Sequence, residues 1–471
     1  MTDELIWLTA SELADMYRSK TVSPVEVVDA VIARAEHVQP VLNNIVTFTT
    51  EQARAEAKQA ERRFANNEED LPPLFGVPIT VKDLTDTAGV RTTYGCVAYA
   101  DHVPDLDAIA WARLKAAGTI MIGKTCTPEF GLLGVTQSKL TGTTGNPYDP
   151  SKTAGGSSGG AAASTVAGVA PLAWGSDGGG SIRVPSSVCG AVGIKPSWGR
   201  IPFRGNDDPD TTEGPITRSV LDAAMMLDAT AGHHPDDRLS IPSSGERYAD
   251  AARAEGDLSG LRVAASPDLG QGPIDPEVRA AFGQALDDLR AAGAVVEVVE
   301  VDLPDPNDFF VSYWGPEYMY FADEMRAEGI ELWSQIQELA DRARAVSPLQ
   351  VSNAMRRIKN QIYAAYASVF QSFDLFVIPT TPTPAFPHND QGGAAVVDGV
   401  EVAVSGLFFH RLTESPSHAG LPAISVPGGF TTDGLPVGLQ FIGPLYADAA
   451  TVAAAARYER ATAWHRRHPH L

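Results

Sequence analysis

The chain has 471 residues, of which 44% are hydrophobic and 20% are charged, and its formal net charge at pH 7 is −22. Such a length can hold about three average domains or one large α/β unit. The acidic balance argues against nucleic acid or an anionic membrane as a direct partner. No run of about 18 apolar residues could span a membrane, the N-terminal segment MTDELIWLTASEL lacks the basic start of a secretory signal, and three cysteines fit a reducing cytoplasm.

Helices are predicted for the N-terminal region, residues 1–70. The segments TASE (9–12) and SPVE (23–26) both have the pattern of a capping box. Pro24 stands at the first position of the second helix, where a missing N–H group costs nothing. Apolar residues then recur with helical period, which predicts that one face of this helix is buried.

The rest of the chain alternates short apolar strands with helices. Strands are predicted at 75–83, 119–125, 169–177, 261–267, 294–301, 374–382, 422–429 and 434–443. This alternation indicates an α/β fold with a largely parallel, mixed sheet. Residues 305–370 differ, because they carry long helical patterns rich in aromatic residues, and we expect them to form a helical cap over the sheet.

Three consecutive glycines follow a predicted strand in the stretch GSDGGGSIR. Ligands bind at the carboxyl ends of strands in open α/β sheets, so Ser181 lies where chemistry is expected. Successive N–H groups could converge there as an anion nest or oxyanion hole, namely those of Gly178, Gly179, Gly180 and Ser181. A phosphate cradle is the rival interpretation, but no GK[ST] follows. An ordinary surface loop is the plain alternative.

A second glycine-rich stretch, TAGGSSGGAAAS, covers residues 153–164. Its segment GGSSG matches the G-x-S-x-G pattern of the α/β-hydrolase nucleophile elbow, with Ser157 as the serine. An elbow needs a hydrophobic strand before it, whereas the preceding residues, GNPYDPSKTA, are typical of a loop. Taken alone, the stretch is interpreted as a structural glycine turn before a tightly packed helix.

Lys82 ends the predicted strand in VPITVKD. The apolar residues of that strand alternate onto one face, and the lysine lies on the other. A lysine at a strand end is usually a solvated charge. Near the carboxyl end of a neighbouring strand, it could instead be a desolvated base.

Together these motifs resemble the amidase signature family of serine hydrolases. The matching segments are GVPITVKD around Lys82, GGSSGG around Ser157, GSDGGGSIRVPSS around Ser181 and GAVGIKPSWGRIP directly after them. The two serines are 24 residues apart (181 − 157), as the family pattern requires. The resemblance is densest over a catalytic core, residues 75–205, and extends weakly over most of the chain. It implies one amidase signature domain over 1–471, with helices on both faces of the sheet.

The resemblance implies a mechanism as well. Ser181 would be the nucleophile, Ser157 the bridging serine and Lys82 the base, with a cis peptide bond between Gly156 and Ser157. A free lysine titrates near ~10.4, so burial must lower its pKa before the neutral amine can accept a proton. The N–H groups of residues 178–181 would stabilise the oxyanion, and water would release the acid from an acyl-enzyme. No metal or organic cofactor is required.

Other residues would support that site or depart from the family pattern. Asp177 and Arg183 would brace the serine loop, and Ser158 would hydrogen-bond near the lysine. Gly178 stands where the family usually has threonine or isoleucine, which leaves the donor geometry of the loop open. Cys126 replaces a residue that is usually asparagine, and we interpret it as a small buried side chain.

Histidines supply the main alternative chemistry. His410 and His418 are candidate members of a Ser-His-Asp esterase triad built on Ser157. Because no strand precedes that serine, both are interpreted as packing or surface residues. The segment GHHPDDR (232–238) could bind a metal ion through its histidines and aspartates, but it is interpreted as a polar turn.

The substrate is indicated only by an aromatic stretch, FFVSYWGPEYMYF, at 309–321. Core packing of a helix is the plain interpretation. The functional one is an apolar pocket for an aryl or long acyl group, and its candidate residues are Cys126, Tyr313, Trp314 and Tyr318. The substrate would then be an anilide, an aryl carbamate (urethane) or a bulky amide, and esters would undergo the same acyl chemistry.

Three functions are therefore carried forward. We favour a stand-alone amide or carbamate hydrolase that acts on a small molecule, for which a homodimer stays open. The second is the glutaminase subunit of a tRNA-dependent amidotransferase, although IKNQIYAAYASVF lacks the tyrosine-pair-and-lysine pattern associated with that subunit. The third, a non-catalytic binding protein, is disfavoured because all three catalytic positions are filled.

Overall fold

The computed structural model describes residues 2–204, 210–243, 245–388, 394–403 and 407–471. Its helices are α1 (Thr2–Leu5), α2 (Ala10–Arg18), α3 (Pro24–Leu42), α4 (Thr50–Ala65), α5 (Ile109–Ala116), α6 (Gly159–Val166), α7 (Arg183–Cys189), α8 (Val220–Thr230), α9 (Tyr248–Arg253), α10 (Pro276–Ala291), α11 (Pro306–Ala327), α12 (Ser334–Ala343), α13 (Pro348–Asn353), α14 (Lys359–Val369), α15 (Leu407–His418) and α16 (Asp448–Thr462). Its strands are β1 (Ile45–Phe48), β2 (Pro78–Lys82), β3 (Ile120–Thr125), β4 (Gln137–Ser138), β5 (Gly142–Thr143), β6 (Leu172–Asp177), β7 (Val192–Lys195), β8 (Thr212–Thr217), β9 (Arg262–Ala265), β10 (Val295–Val298), β11 (Leu375–Pro379), β12 (Ala394–Val397), β13 (Val400–Ala403), β14 (Ala423–Phe430) and β15 (Pro436–Ile442).

Eleven strands form one sheet in the order β1-β3-β2-β6-β8-β7-β14-β15-β11-β9-β10. Parallel pairs join β3, β2 and β6 near one edge and β11, β9 and β10 at the other. The pairs between β6 and β11, and the edge pair β1–β3, are antiparallel. The predicted α/β fold with a mixed sheet is confirmed, while parallel pairs are fewer than expected. The hairpin β14–β15 is antiparallel by its short connection, and it lies in the middle of the sheet.

Helices cover both faces of this sheet, as the strand β11 illustrates. Leu375 and Val377 belong to a large core cluster that includes residues of α3, α4, α8 and α16. Phe376 and Ile378 belong to a second cluster with aromatic residues of α11. Successive side chains of a strand point to opposite faces, so the two clusters lie on opposite sides of the sheet. The expected arrangement of helices on both faces is confirmed.

The N-terminal helices begin as predicted. Thr9 and Glu12 form a reciprocal capping box at the start of α2, and Ser23 and Glu26 form another at the start of α3. Pro24 occupies the first turn of α3. The sequence did not indicate β1, a four-residue edge strand inside this region.

The predicted cap segment, residues 305–370, is helical and contains α11 to α14. The helix α11 packs against α12 and against α15. Its aromatic residues Phe309, Phe310 and Tyr313 are buried in the second core cluster, on the face of the sheet where α15 also lies. Among the described helices, none combines the length and the apolar character that crossing a membrane would need.

Candidate active site

Lys82 is the last residue of β2 and is completely buried. Its strand lies between β3 and β6, so the lysine emerges at the carboxyl end of three parallel strands. The Nζ atom donates hydrogen bonds to Ser157 Oγ at 2.7 Å and to Ser176 Oγ at 2.9 Å. The structure thus joins the predicted lysine to the predicted bridging serine.

The environment of Lys82 favours a neutral amine. Burial lowers the pKa of Lys82 from 10.5 to about 7, against the opposing attraction of Asp177 and Glu213. Burial also raises the pKa of Glu213 to about 7, although its carboxylate accepts a hydrogen bond of 2.8 Å from Thr85 Oγ1. At neutral pH the site therefore holds a substantial population of uncharged lysine.

Ser157 lies in an irregular segment directly before α6, and no strand precedes it. The peptide bond between Gly156 and Ser157 is cis, as the family resemblance implies. A side chain at Gly156 would meet the backbone of Val135 at 2.6 Å, so only glycine fits there. The next residue, Ser158, donates its N–H to the carbonyl of Ser181 at 3.1 Å. This contact ties the two serine segments together.

Ser158 also contacts the neighbourhood of the lysine, as expected. Its hydroxyl donates to the carbonyl oxygen of Ser176 at 3.2 Å, and the hydroxyl of Ser176 accepts a hydrogen bond from Lys82. Ser176 itself was not predicted. Its place in β6, two residues after Trp174 and one before Asp177, points it toward the strand that carries the lysine.

The segment that carries Ser181 links β6 to α7 and is held by a buried ion pair. Arg183 Nη2 lies 2.8 Å from Asp177 Oδ1, and both side chains are fully buried. Asp177 also accepts the N–H groups of Ile182 at 3.1 Å and Arg183 at 3.3 Å. Although burial alone would raise it, the pKa of Asp177 is lowered because Arg183 outweighs that effect. Asp177 and Arg183 therefore brace the loop.

The glycine loop, residues 178–181, is crowded by α15, which explains its composition. A side chain at Gly179 would lie 2.2 Å from Glu414 Oε1, and one at Gly180 would lie 2.1 Å from Thr413 Oγ1. Gly180 also has φ +144°, a conformation that side chains rarely adopt. In the described parts of the chain, no recorded hydrogen bond uses the N–H groups of residues 178–181.

A cleft with about 610 Å³ of empty space opens above the two serines. Ser157, Ser176 and Ser181 lie at its floor together with two residues of the glycine loop, and the cleft is also lined by Leu84, Phe130, Leu132, Thr211, Phe310, Trp314, Glu317, Tyr318, His410 and Glu414. Of the predicted pocket residues, Trp314 and Tyr318 line the cleft. The wall contributed by α11 is largely apolar and aromatic.

Two predicted pocket residues do not line the cleft. Cys126 follows β3 and packs against the backbone of Gly160, whose N–H donates to its carbonyl at 3.3 Å. It is the buried small side chain that its sequence context indicated, and burial raises the pKa of its thiol to about 12. Tyr313 lies behind the wall, where its hydroxyl donates to the carboxylate of Asp210.

The sequence analysis missed a charged cluster behind the cleft. His418 lies between two carboxylates, with Nδ1 2.6 Å from Asp210 and Nε2 2.9 Å from Glu414. Burial alone would lower the pKa of His418, but these two carboxylates raise it to about 9. Lys359 Nζ pairs with Asp210 at 2.5 Å. The spacing of Glu414 and His418, four residues apart on one helix, was the available signal.

His410 lines the cleft and was interpreted as a packing or surface residue, which is wrong. Burial lowers the pKa of its imidazole, so the ring is neutral near pH 7. The segment 232–238 forms the predicted polar turn, in which His233 Nδ1 lies 2.9 Å from Ser240 Oγ and His234 accepts the N–H of Asp236. No cluster of metal-binding residues occurs within the described ranges.

Comparison with known proteins places this geometry in context. The chain is 37% identical to an acylamidase of Rhodococcus erythropolis over 471 residues, covering 98% of both sequences. It is 36% identical to the amidase-type subunit of a glutamyl-tRNA(Gln) amidotransferase of Moorella thermoacetica, covering 99% of both.

Solved structures agree. A bacterial aryl acylamidase of the amidase signature enzymes superposes with a TM-score of 0.89 at 28% identity, covering 98% of both chains. A 6-aminohexanoate cyclic dimer hydrolase gives a TM-score of 0.84 at 28% identity, covering 98% of this chain and 99% of the other. A family model described as Amidase matches residues 26–452. The chain belongs to the amidase family and is an amidase signature hydrolase that acts on carbon–nitrogen bonds other than peptide bonds.

Proposed function

We propose that this protein is a stand-alone amidase that cleaves bulky or aromatic amides through an acyl-enzyme on Ser181. The observation that carries the proposal is the 2.7 Å contact between Lys82 Nζ and Ser157 Oγ, which is completely buried at the floor of the cleft. Ser157 and Ser181 both line that floor, and the N–H of Ser158 binds the carbonyl of Ser181.

The proton path starts at Ser181, whose hydroxyl is a weak nucleophile until a base removes its proton. Ser157 takes that proton as it passes its own to the neutral Nζ of Lys82. Ser176 and Ser157 accept the two N–H hydrogens of the amine, which leaves its lone pair for the incoming proton. The protonated relay then delivers a proton to the departing amine, so that nitrogen leaves as a neutral group.

The glycine loop would stabilise the negative oxygen that forms on the substrate carbonyl. Its N–H groups have no recorded partner among the described residues, so they are available to an oxyanion. The Asp177–Arg183 pair fixes the loop before substrate binds, and a preorganised donor of this kind contributes ~3–4 kcal/mol. Water then attacks the acyl-enzyme by the same path and releases the acid.

The substrate is inferred from the cleft walls and from relatives. Phe130, Phe310, Trp314 and Tyr318 present aromatic surface above the serines, which suits an aryl or long acyl group. The acylamidase and aryl acylamidase relatives have names that agree with such amides. The same acyl chemistry extends to carbamates (urethanes) and esters. The three cysteines are free and buried, in keeping with a cytoplasmic location.

The purified chain, assayed alone, tests this function. We expect hydrolysis of chromogenic anilides and aryl carbamates, and loss of that activity in Ser181→Ala. The amidotransferase relatives make glutamine the essential comparison substrate. Glutaminase activity without anilide hydrolysis would support the amidotransferase function instead. If the wild-type chain hydrolyses none of these compounds, or if Ser181→Ala retains full activity, the proposal is wrong.

A further inference from the structure

The described lining of the cleft contains two carboxylates, Glu317 and Glu414, and no lysine or arginine. We propose that the cleft selects amides that carry no negative charge, with these two side chains as specificity determinants. The inference rests on the proposed function, because it concerns the substrate of the same site. It separates this chain from an enzyme that must bind the α-carboxylate of free glutamine.

The cations that contact Glu414 and Asp210 lie behind the cleft. His418 contacts both carboxylates, and Lys359 contacts Asp210 and the hydroxyl of Tyr313 at 3.2 Å. Neither cation lines the cleft. The residues outside the described ranges include no lysine or arginine. A bound anion would therefore meet carboxylate oxygens with no cation in the described lining to pair with.

Glu414 is held in place as a charged group. Its Oε2 accepts a hydrogen bond from Trp314 Nε1 at 3.1 Å and lies 2.9 Å from His418. Its Oε1 packs against Gly179, where a methyl group would come within 2.2 Å. The carboxylate thus lies beside the loop that faces the reacting carbonyl. Any negative group of a substrate near that carbonyl must approach it.

The neutral polar group of the lining, His410, does not compensate an anion. Burial lowers the pKa of its imidazole, although Glu414 opposes the change, so the ring carries no charge near pH 7. Removing a substrate carboxylate from water without a cationic partner is costly, and juxtaposed like charges add to that cost. Neutral substrates incur neither penalty, and cationic ones are attracted to Glu317 at the more exposed side of the cleft.

Binding to Ser181→Ala tests charge selection apart from catalysis. We would titrate this variant with matched anilides that carry a neutral, carboxylate or trimethylammonium group, first on the acyl part and then on the aniline. We expect the neutral compound to bind about 10- to 100-fold more tightly than the carboxylate in at least one series, and the cation to bind at least as well as the carboxylate. Equal affinities for neutral and anionic compounds in both series would overturn the inference.

Turnover by the wild-type chain reports the proposed function separately, since loss of anilide hydrolysis leaves the binding result interpretable. Glu414→Gln removes a partner of His418 and risks misfolding, so Glu317→Gln is the sharper variant. It should reduce the neutral-to-anionic affinity ratio by about 3- to 10-fold in the same background. Glu324→Gln, on the same helix but outside the cleft lining, is the matched control and should leave the ratio unchanged. An unchanged ratio in Glu317→Gln would remove that residue from the proposal.

Discussion

The sharpest consequence of a buried base is the pH dependence of the rate, and pH is the simplest perturbation of it. Only neutral Lys82 can accept a proton through Ser157. Its pKa is lowered from 10.5 to about 7 by burial. The neutral fraction therefore rises as pH increases through about 7, so kcat/KM should rise over the same interval and then level off.

The size of the effect follows from that shift. A change from 10.5 to about 7 is about 3.5 pKa units, or roughly 5 kcal/mol at ~1.36 kcal/mol per unit. At pH 7 an unperturbed lysine would be neutral in only about one molecule in 3,000, whereas Lys82 would be neutral in about half. Burial thus increases the active fraction by roughly three orders of magnitude.

The assay is kcat/KM for a neutral anilide from pH 5 to 10, with a substrate that does not titrate in that range. His410 lines the same cleft, so His410→Gln is the control. We expect the midpoint near 7 to persist in this variant, because the pKa of His410 is itself lowered by burial. A flat profile, a midpoint near 10, or a limb that vanishes in His410→Gln would refute the reasoning.

Three further predictions concern the groups around the base and the loop. Arg183→Met should lower the free energy of unfolding by about 3–5 kcal/mol in chemical denaturation, because it leaves Asp177 buried without its partner; a loss below about 1 kcal/mol would contradict this. Gly180→Ala should reduce kcat on an anilide by about 100-fold or more, since the new methyl group meets Thr413 and displaces the loop N–H groups; wild-type turnover would contradict it. Glu213→Gln should move the ascending limb of the kcat/KM profile to lower pH, because that carboxylate raises the pKa of the buried lysine; an unmoved limb would show that the two groups do not interact.

Much of the site was predictable because its chemistry is local in sequence. The strand ending at Lys82 and the glycine segments around Ser157 and Ser181 each specify a backbone form, and their order and spacing identify the family. The capping boxes of α2 and α3 are likewise complete within four residues. What the sequence could not supply is the order of strands in the sheet, because β14 and β15 pair near its middle although they lie far along the chain.

The cleft wall shows a signal that was present but unused. Phe310, Trp314, Glu317 and Tyr318 recur at helical spacing and share one face of α11, which lines the cleft. Tyr313 lies about 100° away around the same helix and is buried behind that wall. Periodicity could have divided the aromatic list into these two faces. It could not have shown that α15 lies opposite, since that contact depends on tertiary packing.

Covalent labelling of the nucleophile tests the central claim most directly. A fluorophosphonate probe should modify Ser181, located by mass spectrometry of the digested protein, and Ser181→Ala should not react. Lys82→Ala, if its circular dichroism matches the wild type, should be labelled at least about 100-fold more slowly, because no neutral amine remains to draw the proton through Ser157. An adduct on a different residue, or wild-type labelling of the folded Lys82→Ala protein, would contradict the account.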